Sequence, residues 1–362
     1  MFHNKKSSPE STSPKKKFHL AKKQKIILFS LLGLSLVAGL IFFIKSRQKE
    51  EQINVQPLPQ RKVEQVAEKI YSPLTGLEVT TEQSKLPLTA LMVENSVDAR
   101  PQSGLNHAGV IYEAIAEGGI TRFATIYQDD LPAEIGPVRS LRPYYLDWLR
   151  PYSATIAHVG GSQRALKMVR DGTWKDMDQF ANGKSFWRSK DRKAPHNVYT
   201  SKDLIDSYNQ SKNNQLEDVT FFARKDDQKS AAPNATDIKL NISSTKYNVE
   251  FKYNPELNSY KRFQGGEAHL DKSGVQLEPK VVVAIVANYS IVQEDGSRSA
   301  YQTTGSGEAV VFQDGTATAA TWQKADQASQ LKLIDSTGTE IKLNRGQTWI
   351  TALGTRNKLT YQ

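Results

Sequence analysis

Charged side chains recur inside apolar, strand-like sequence between Glu94 and Arg142. Three motifs cover most of this segment: ENSVDARPQSGL at 94–105, EAIAEGGITRF at 113–123 and IGPVRSLRPY at 135–144. They carry four arginines and three glutamates, more charge than a segment that only packs would need. Because guanidinium groups pair well with carboxylates and phosphates, the motifs predict a site for a polar, anionic ligand.

Arginines, glutamates and polar residues near these motifs are the predicted ligand-binding set. In it, Arg122, Arg139 and Arg142 hold the anion. The glutamates that orient it are Glu94, Glu113 and Glu117. A strand followed by Gly-Gly-Ser and a helix adds a possible anion seat, since such a junction exposes backbone N–H groups; a plain tight turn is the alternative. The predicted residues are Glu94, Asn95, Arg100, Glu113, Glu117, Arg122, Arg139, Arg142, His158, Ser162 and His196.

Two apolar runs, 110–117 and 120–128, are joined by Gly118-Gly119. Glycine accepts the positive φ of a two-residue turn, so this pattern predicts a β-hairpin. A helix through 108–117, ended by the two glycines, is the competing interpretation.

The predicted hairpin register places Arg122 opposite Ile115 and Glu113 opposite Ala124. Side chains alternate between the two faces of a strand, so Glu113, Glu117 and Arg122 would then share one face. That face would be either the floor of a ligand pocket or a lattice of ion pairs that stabilises the sheet.

No recognisable catalytic constellation is present. Candidates for a serine triad exist in Ser140 or Ser162, His158 or His196, and the glutamates, but no spacing selects them. There is no HExxH pattern and no cysteine, so neither a metal site nor a cofactor is predicted. An arginine between Glu113 and Glu117 would spoil a glycosidase acid by lowering its pKa.

The chain begins with a basic tail and an apolar stretch. Residues 1–25 hold eight lysines and one glutamate, hence +7 of the total +10, so the net charge is poor evidence for nucleic-acid binding. Nineteen uncharged residues follow between Ile26 and Ile44 and nearly match a bilayer core. The positive-inside rule predicts a signal anchor with a cytoplasmic N-terminus. A cleaved signal peptide is the alternative.

The rest of the chain predicts an α+β or mixed α/β fold. A polar linker at 45–71 precedes an α/β first domain at 72–222, and a second linker at 223–236 leads to a β-rich domain at 237–362. In the second domain the strand-like runs and an Asp314-Gly315 hairpin signal predict an antiparallel sheet or open barrel.

The three charged motifs, with HVGGS at 158–162, resemble the YerB-like family of bacterial lipoproteins, which carry a domain of unknown function. YKRFQGGEAHLD at 260–271 and GSGEAVVFQDG at 305–315 extend the resemblance to roughly residues 72–355. The resemblance implies a two-domain envelope protein facing away from the cytoplasm, with no established reaction. This chain departs from the lipoprotein pattern because it has no cysteine to acylate.

We therefore expect a single-pass membrane protein with extracellular domains. The predicted function is a non-catalytic binding or regulatory module of the cell envelope, whose partner is a cell-wall fragment or a wall-synthesis protein. A hydrolase of wall polymer or peptide, with His158 and His196 as acid–base groups, is the rival. A charged lattice that only braces the fold is the third possibility.

Overall fold

The computed structural model describes residues 37–46, 69–293, 296 and 298–362. The chain divides into two compact units, residues 1–66 and 67–362. In the first unit residues 37–46 are helical, while residues 26–36 of the predicted anchor lie outside the described residues, as do the basic tail and the linker up to residue 68. No helix in the described ranges is both long and apolar enough to cross a membrane, so the anchor stays a prediction.

The second unit is rich in strands and has few helices. Its α-helices in the described residues are α1 (Pro143–Leu149), α2 (Gln163–Asp171) and α3 (Lys202–Ser211). The strands of the first sequence region are β1 (Thr89–Glu94), β2 (Val110–Glu117), β3 (Ile120–Tyr127), β4 (Thr155–His158), β5 (Lys175–Asp178), β6 (Trp187–Arg188), β7 (Val198–Tyr199) and β8 (Arg224–Lys225). Those of the second region are β9 (Asp237–Leu240), β10 (Val249–Asn254), β11 (Ser259–Gln264), β12 (Glu267–Ala268), β13 (Val281–Val286), β14 (Tyr289–Val292), β15 (Arg298–Tyr301), β16 (Gly305–Gln313), β17 (Thr316–Lys324), β18 (Lys332–Asp335), β19 (Leu343–Asn344), β20 (Thr348–Leu353) and β21 (Leu359–Tyr361). The mixed α/β class predicted from the sequence is confirmed.

A ten-stranded mixed sheet runs through both sequence regions in the order β18-β17-β16-β13-β20-β2-β3-β1-β4-β5. The two regions meet where β2 pairs with β20 in parallel, Val110 opposite Thr348 and Glu113 opposite Thr351. The boundaries predicted for separate domains remain predictions, but strands from the two regions are hydrogen-bonded neighbours in one sheet.

The sequence had suggested an antiparallel sheet for the second region, but some of its strands pair in parallel. β13 and β20 pair in parallel, and β20 is parallel to β2 on its other side. All six residues of β20 are buried, and β13 is a continuous apolar run. Strands buried on both faces are typical of parallel pairing, and this explains the difference.

A second sheet of five antiparallel strands has the order β12-β11-β10-β9-β21. Side chains of β11 reach the main sheet, where Arg262 contacts Glu113 of β2 and Trp349 of β20. The five-stranded sheet therefore covers the face of the main sheet that carries Glu113.

Aromatic side chains from α1 cover the opposite face. Trp148 stacks on Tyr112 of β2 with ring centroids 5.6 Å apart, and Tyr144 and Tyr301 make edge or tilted contacts in the same cluster. Pro143 occupies the first turn of α1, as expected for a residue whose missing N–H is not needed there.

The predicted hairpin of β2 and β3 is confirmed, and the competing helix is not formed. Gly118 and Gly119 have φ values of 57° and 78°, the positive range that the turn requires. The Asp314-Gly315 hairpin between β16 and β17 is confirmed in the same way, with φ values of 58° and 77°.

The predicted register of the first hairpin is wrong beyond the turn. A β-bulge between Ile115 and Glu117 inserts one residue, so Arg122 lies opposite Ala114 and Glu113 lies opposite Phe123. One extra residue moves the following side chains to the other face of the sheet. Glu113 and Glu117 therefore do not share a face with each other.

Candidate functional site

Glu117 is held between two arginines on the face covered by α1. Arg122 donates to its Oε1 at 3.1 Å, and Arg142 donates to its Oε2 through two N–H groups, Nε at 3.1 Å and Nη2 at a shorter distance. Burial would raise the pKa of Glu117, but the two guanidinium charges and their hydrogen bonds outweigh it and lower this pKa to about 2. Nη1 of Arg122 donates to the Ser140 carbonyl, and Nη1 of Arg142 donates to the Leu141 carbonyl.

These contacts describe a structural clamp. Arg122 and Arg142 are almost fully buried, and each already has a carboxylate partner. Their role as ligand-binding residues stays a prediction, and the proposal below rests on other arginines.

Glu113 lies on the opposite face and is completely buried. Its carboxylate accepts from Arg262 Nη2 at 3.1 and 2.9 Å, from the Trp349 indole at 3.0 Å and from the Thr121 hydroxyl at 3.0 Å. A buried carboxylate is tolerated when a countercharge and hydrogen bonds satisfy it. Two of the three donor residues, Arg262 and Trp349, come from distant parts of the chain. Glu113 thus ties the two sheets together.

Arg262 was not singled out from the sequence, although it lies at the centre of this network. Its guanidinium lies 4.3 Å from the centre of the Trp349 ring and donates to Gln264 and to His269 Nδ1. Burial and the adjacent Arg262 charge lower the pKa of His269 well below its usual value, and its Nε2 contacts Gln102 at 2.9 Å. An arginine inside a strand-like run was the available signal, the same one that marked Arg122.

Asn95 joins this network to a second cluster. Its amide donates to the Thr121 hydroxyl at 2.6 Å, and its carbonyl accepts from Arg100 at 3.1 Å and Gln102 at 2.9 Å. Gln102 also donates to the Glu94 carbonyl at 2.9 Å, so Glu94, Asn95, Arg100 and Glu113 lie in one chain of hydrogen bonds.

Glu94 organises the second cluster at the end of β1. Its Oε1 accepts from the Ser96 hydroxyl at 3.0 Å and lies 3.0 Å from His196 Nδ1 and 3.2 Å from Arg139 Nε. Its Oε2 is buried and has no hydrogen-bond partner among the described residues. A buried carboxylate oxygen without a hydrogen bond is costly to the fold.

The Ser96, His196 and Glu94 arrangement is not a serine triad. Ser96 Oγ and Glu94 Oε1 both lie beside Nδ1 of His196, at 3.3 and 3.0 Å. A triad needs the hydroxyl and the carboxylate at opposite ring nitrogens, so the imidazole cannot relay a proton from Ser96. What the geometry does form is a carboxylate–histidine pair whose Nε2 makes no hydrogen bond within the described ranges.

His196 opens onto a cleft of about 620 Å³. The cleft is lined by more basic than acidic side chains, namely Asp98, Arg100, Asp191, Arg192, Lys193, Ala194, His196 and Lys272. Lys272 is paired with Glu134 at 2.9 Å.

The two arginines of the cleft, Arg100 and Arg192, donate hydrogen bonds to uncharged oxygens. Arg100 donates to the Asn95 side chain and to the carbonyls of Asn95 and Lys246. Arg192 donates to the carbonyls of Asp98, Arg100 and Pro101. In the described part of the chain neither makes a direct ion pair with a carboxylate, although Asp98 and Asp191 line the same cleft.

His158 and Ser162 belong to a different neighbourhood. His158 is fully buried, with Nδ1 2.8 Å from the Gly160 carbonyl and Nε2 2.9 Å from Asp176. Ser162 is the N-cap of α2, and its hydroxyl accepts from the Ala165 N–H at 3.4 Å. His158 and His196 thus bind different acidic partners, and no hydrogen bond or ion pair among the described residues connects them.

Within the described ranges, no three histidine or acidic side chains are grouped so that they could hold a metal ion.

Sequence and fold together place the chain in a family of two-domain proteins of unknown function. Residues 74–216 match the N-terminal domain of the "Protein of unknown function (DUF3048)" family, and residues 238–350 match its C-terminal domain. The chain belongs to this family, and the predicted YerB-like resemblance is confirmed.

A similar protein sequence and a similar crystal structure both come from Bacillus subtilis. A protein of strain 168 named "Putative lipoprotein YerB" is 30% identical over 293 residues, which are 80% of this chain and 87% of the relative. The crystal structure of the YerB protein from Bacillus subtilis superimposes with a TM-score of 0.73 and 27% identity, over 81% of this chain and all of that one.

Proposed function

We propose that the protein is an extracytoplasmic binding or regulatory module of the bacterial cell envelope. Its relative carries the name of a lipoprotein, and lipoproteins are attached to a membrane. This chain has no cysteine to acylate, so the apolar stretch at 26–44 would serve as the anchor, with a cytoplasmic N-terminus and an extracellular second unit.

The cleft beside His196 is the proposed binding site, and its ligand is an anionic, wall-derived fragment or an acidic surface of a wall-synthesis partner. The observation that carries the proposal is that Arg100 and Arg192 line the cleft without a carboxylate partner in the described residues. Guanidinium groups without a direct carboxylate partner attract anions, and their remaining N–H groups can donate charge-assisted hydrogen bonds to them.

The pre-ordering of these arginines favours binding further. Arg100 packs its guanidinium 5.1 Å from the centre of the Tyr247 ring, and three carbonyls hold Arg192 in place. Side chains that are already fixed lose little conformational entropy when a ligand arrives. Asp98 and Asp191 also line the cleft and would disfavour negative charge placed directly against them.

Thermal unfolding of the full-length chain tests this proposal. A ligand that binds only the folded state raises the Tm by mass action, so soluble anionic wall fragments should raise the Tm of the wild-type protein. The Arg100→Gln/Arg192→Gln variant should lose the rise. Arg170→Gln changes an exposed arginine of α2 outside the cleft and should keep it. An equal rise in all three proteins would contradict the proposal.

A hydrolase is the second candidate, and the Glu94–His196 contact of 3.0 Å is what favours it. A buried carboxylate at Nδ1 orients an imidazole so that Nε2 can accept a proton from water at the cleft. His158 does not belong to this version of the site. Release of new reducing ends or amines from wall polymer, lost in both His196→Gln and Glu94→Gln, would favour the enzyme. No release from the wild-type protein would leave the binding module.

A further inference from the structure

A second polar groove lies away from the charged cleft. It consists of two neighbouring cavities of about 660 and 610 Å³. Thr220, Ser329 and Gln330 line both cavities, so the two form one continuous depression. Residues 150–175 and 217–220 of the first sequence region form one wall, and residues 305–332 of the second region form the other.

Four of the charged side chains in this groove are held by groups of its own walls. Lys175 pairs with Glu217 at 2.7 Å, and Arg150 donates to the carbonyl and hydroxyl of Thr173. The Lys324 ammonium donates its three hydrogens to the carbonyls of Asp326, Gln327 and Ser329 at 2.6–2.7 Å. The other two charged residues of the lining, Asp218 and Lys332, are exposed and carry opposite charges.

The turn that forms one rim is held in a single shape. Asp326 Oδ1 accepts from the N–H groups of Ala328 and Ser329 and from the Ser329 hydroxyl, at 2.7–2.9 Å. The adjacent Gln330 amide donates to the Tyr152 hydroxyl at 3.0 Å, which fixes its orientation. A groove whose walls are already ordered costs little to occupy.

The groups left to meet a ligand are mainly hydroxyls and amides. Ser153, Thr220, Ser306, Gln323 and Gln330 lie along the lining, and Trp174 is its one large apolar side chain. Side-chain hydroxyls both donate and accept hydrogen bonds, which suits a ligand that carries many hydroxyls of its own. The lining offers no deep apolar pocket of the kind that anchors a peptide side chain.

We propose that this groove binds a neutral, polyhydroxylated chain, such as a segment of a glycan. The site is separate from the charged cleft and goes beyond the function proposed for it. Two joined cavities of this volume suit a chain of several sugar units better than one small molecule.

Isothermal titration of the full-length protein with chitotetraose, a neutral chain of four N-acetylglucosamine units, tests the inference. The protein is kept in a detergent without a sugar headgroup, so that the detergent does not compete. We expect saturable binding by the wild-type protein and at least tenfold weaker binding by Thr220→Tyr, which fills the passage between the two cavities. Gln330→Leu, which removes the amide without adding bulk, should weaken binding as well.

Two controls separate the groove from the rest of the molecule. Thr360→Tyr places the same ring on an exposed position of β21 and should bind as the wild type does. Arg100→Gln/Arg192→Gln alters only the charged cleft and should also leave chitotetraose binding unchanged. Absence of binding by the wild-type protein at millimolar sugar, equal affinity of a folded Thr220→Tyr protein, or loss of binding in the cleft variant would each overturn the inference.

Discussion

Two glutamates four positions apart have opposite environments. Glu117 remains partly exposed between Arg122 and Arg142, whereas Glu113 is sealed between the sheets with Arg262. Both carboxylates have charged partners. We expect the stabilisation from Glu117 to depend on pH, and that from Glu113 to depend on Arg262.

Glu117→Gln should remove an acid-sensitive part of the stability. The folded-state pKa of about 2 lies below the usual value of 4.5, so the stabilisation is fully present above pH 4.5 and is lost as the pH falls towards 2. Allowing for solvent screening at a partly exposed side chain, this amounts to about 2 kcal/mol. Urea unfolding between pH 5 and pH 2.5 measures it.

The matched control is Glu308→Gln, an exposed carboxylate on β16 that has no ion pair in the described residues. Its pH dependence should follow that of the wild-type protein. If Glu117→Gln retained the full wild-type loss of stability on acidification, the account of the Arg122–Glu117–Arg142 clamp would be incorrect.

Arg262→Met should destabilise the fold by roughly 3–5 kcal/mol, because it leaves the buried Glu113 carboxylate without its countercharge. Lys261→Met changes the exposed neighbour on the same strand and should have little effect. The midpoint of urea unfolding measures both, and Glu113→Gln added to Arg262→Met should restore part of the loss. Equal stability of the two methionine variants would refute the network.

At the scale of elements, the bulge in β2 decides which residues meet. The extra residue turns Arg122 and Glu117 towards α1, while Glu113 faces the five-stranded sheet. Tyrosine hydroxyls satisfy the displaced backbone: Tyr144 donates to the Ile115 carbonyl at 2.8 Å, and the Ile115 N–H donates to Tyr301 at 3.1 Å. The helix α1 therefore stabilises the irregular strand as well as the core.

Tyr145→Phe should cost about 1–2 kcal/mol in the free energy of unfolding. Its buried hydroxyl reaches the carbonyls of Ala114 and Arg122, at 3.1 and 2.6 Å, and phenylalanine would leave both carbonyls without this donor. Tyr361→Phe, at a hydroxyl with no hydrogen bond in the described ranges, serves as the control for chemical denaturation. A cost no larger than that of Tyr361→Phe would argue against this role for α1.

Local sequence predicted the elements whose geometry is local. Gly118-Gly119 and Asp314-Gly315 form the expected hairpin turns because a two-residue turn needs positive φ at both positions. The bulge left no such signal, since Ala116 is an ordinary strand residue. One unrecognised insertion was enough to reverse the predicted face of Glu113 relative to Arg122.

At the scale of the whole molecule, the two sequence regions complete one another. In the main sheet β2 pairs with β20, and the paired residues are more than two hundred positions apart in the sequence. Glu113 of the first region binds Arg262 and Trp349 of the second region. Neither contact could be derived from spacing, because both depend on how distant strands are ordered. Glu94, Asn95, Arg100 and Glu113 lie in one hydrogen-bonded chain, but the cleft also needs Arg192, which was not among the predicted ligand-binding residues.

A fragment of residues 67–222 should fail to give a folded monomer. It would expose the whole edge of β2 that normally pairs with β20, and it would leave Glu113 buried without Arg262. Residues 67–362 should give a monomeric, well-dispersed amide spectrum under the same conditions. Size-exclusion chromatography and NMR distinguish the outcomes, and a monomeric, well-dispersed short fragment would contradict the description of a shared sheet.

The central claim is that Arg100 and Arg192, which have no direct carboxylate partner in the described residues, make the cleft an anion-binding site. Its most direct test is the affinity of the full-length protein for a soluble, phosphate-containing wall fragment, measured by titration calorimetry at several salt concentrations. The account predicts that Arg100→Gln/Arg192→Gln binds at least tenfold more weakly than the wild-type protein and depends less on salt. Equal affinity and equal salt dependence in the two proteins would contradict it.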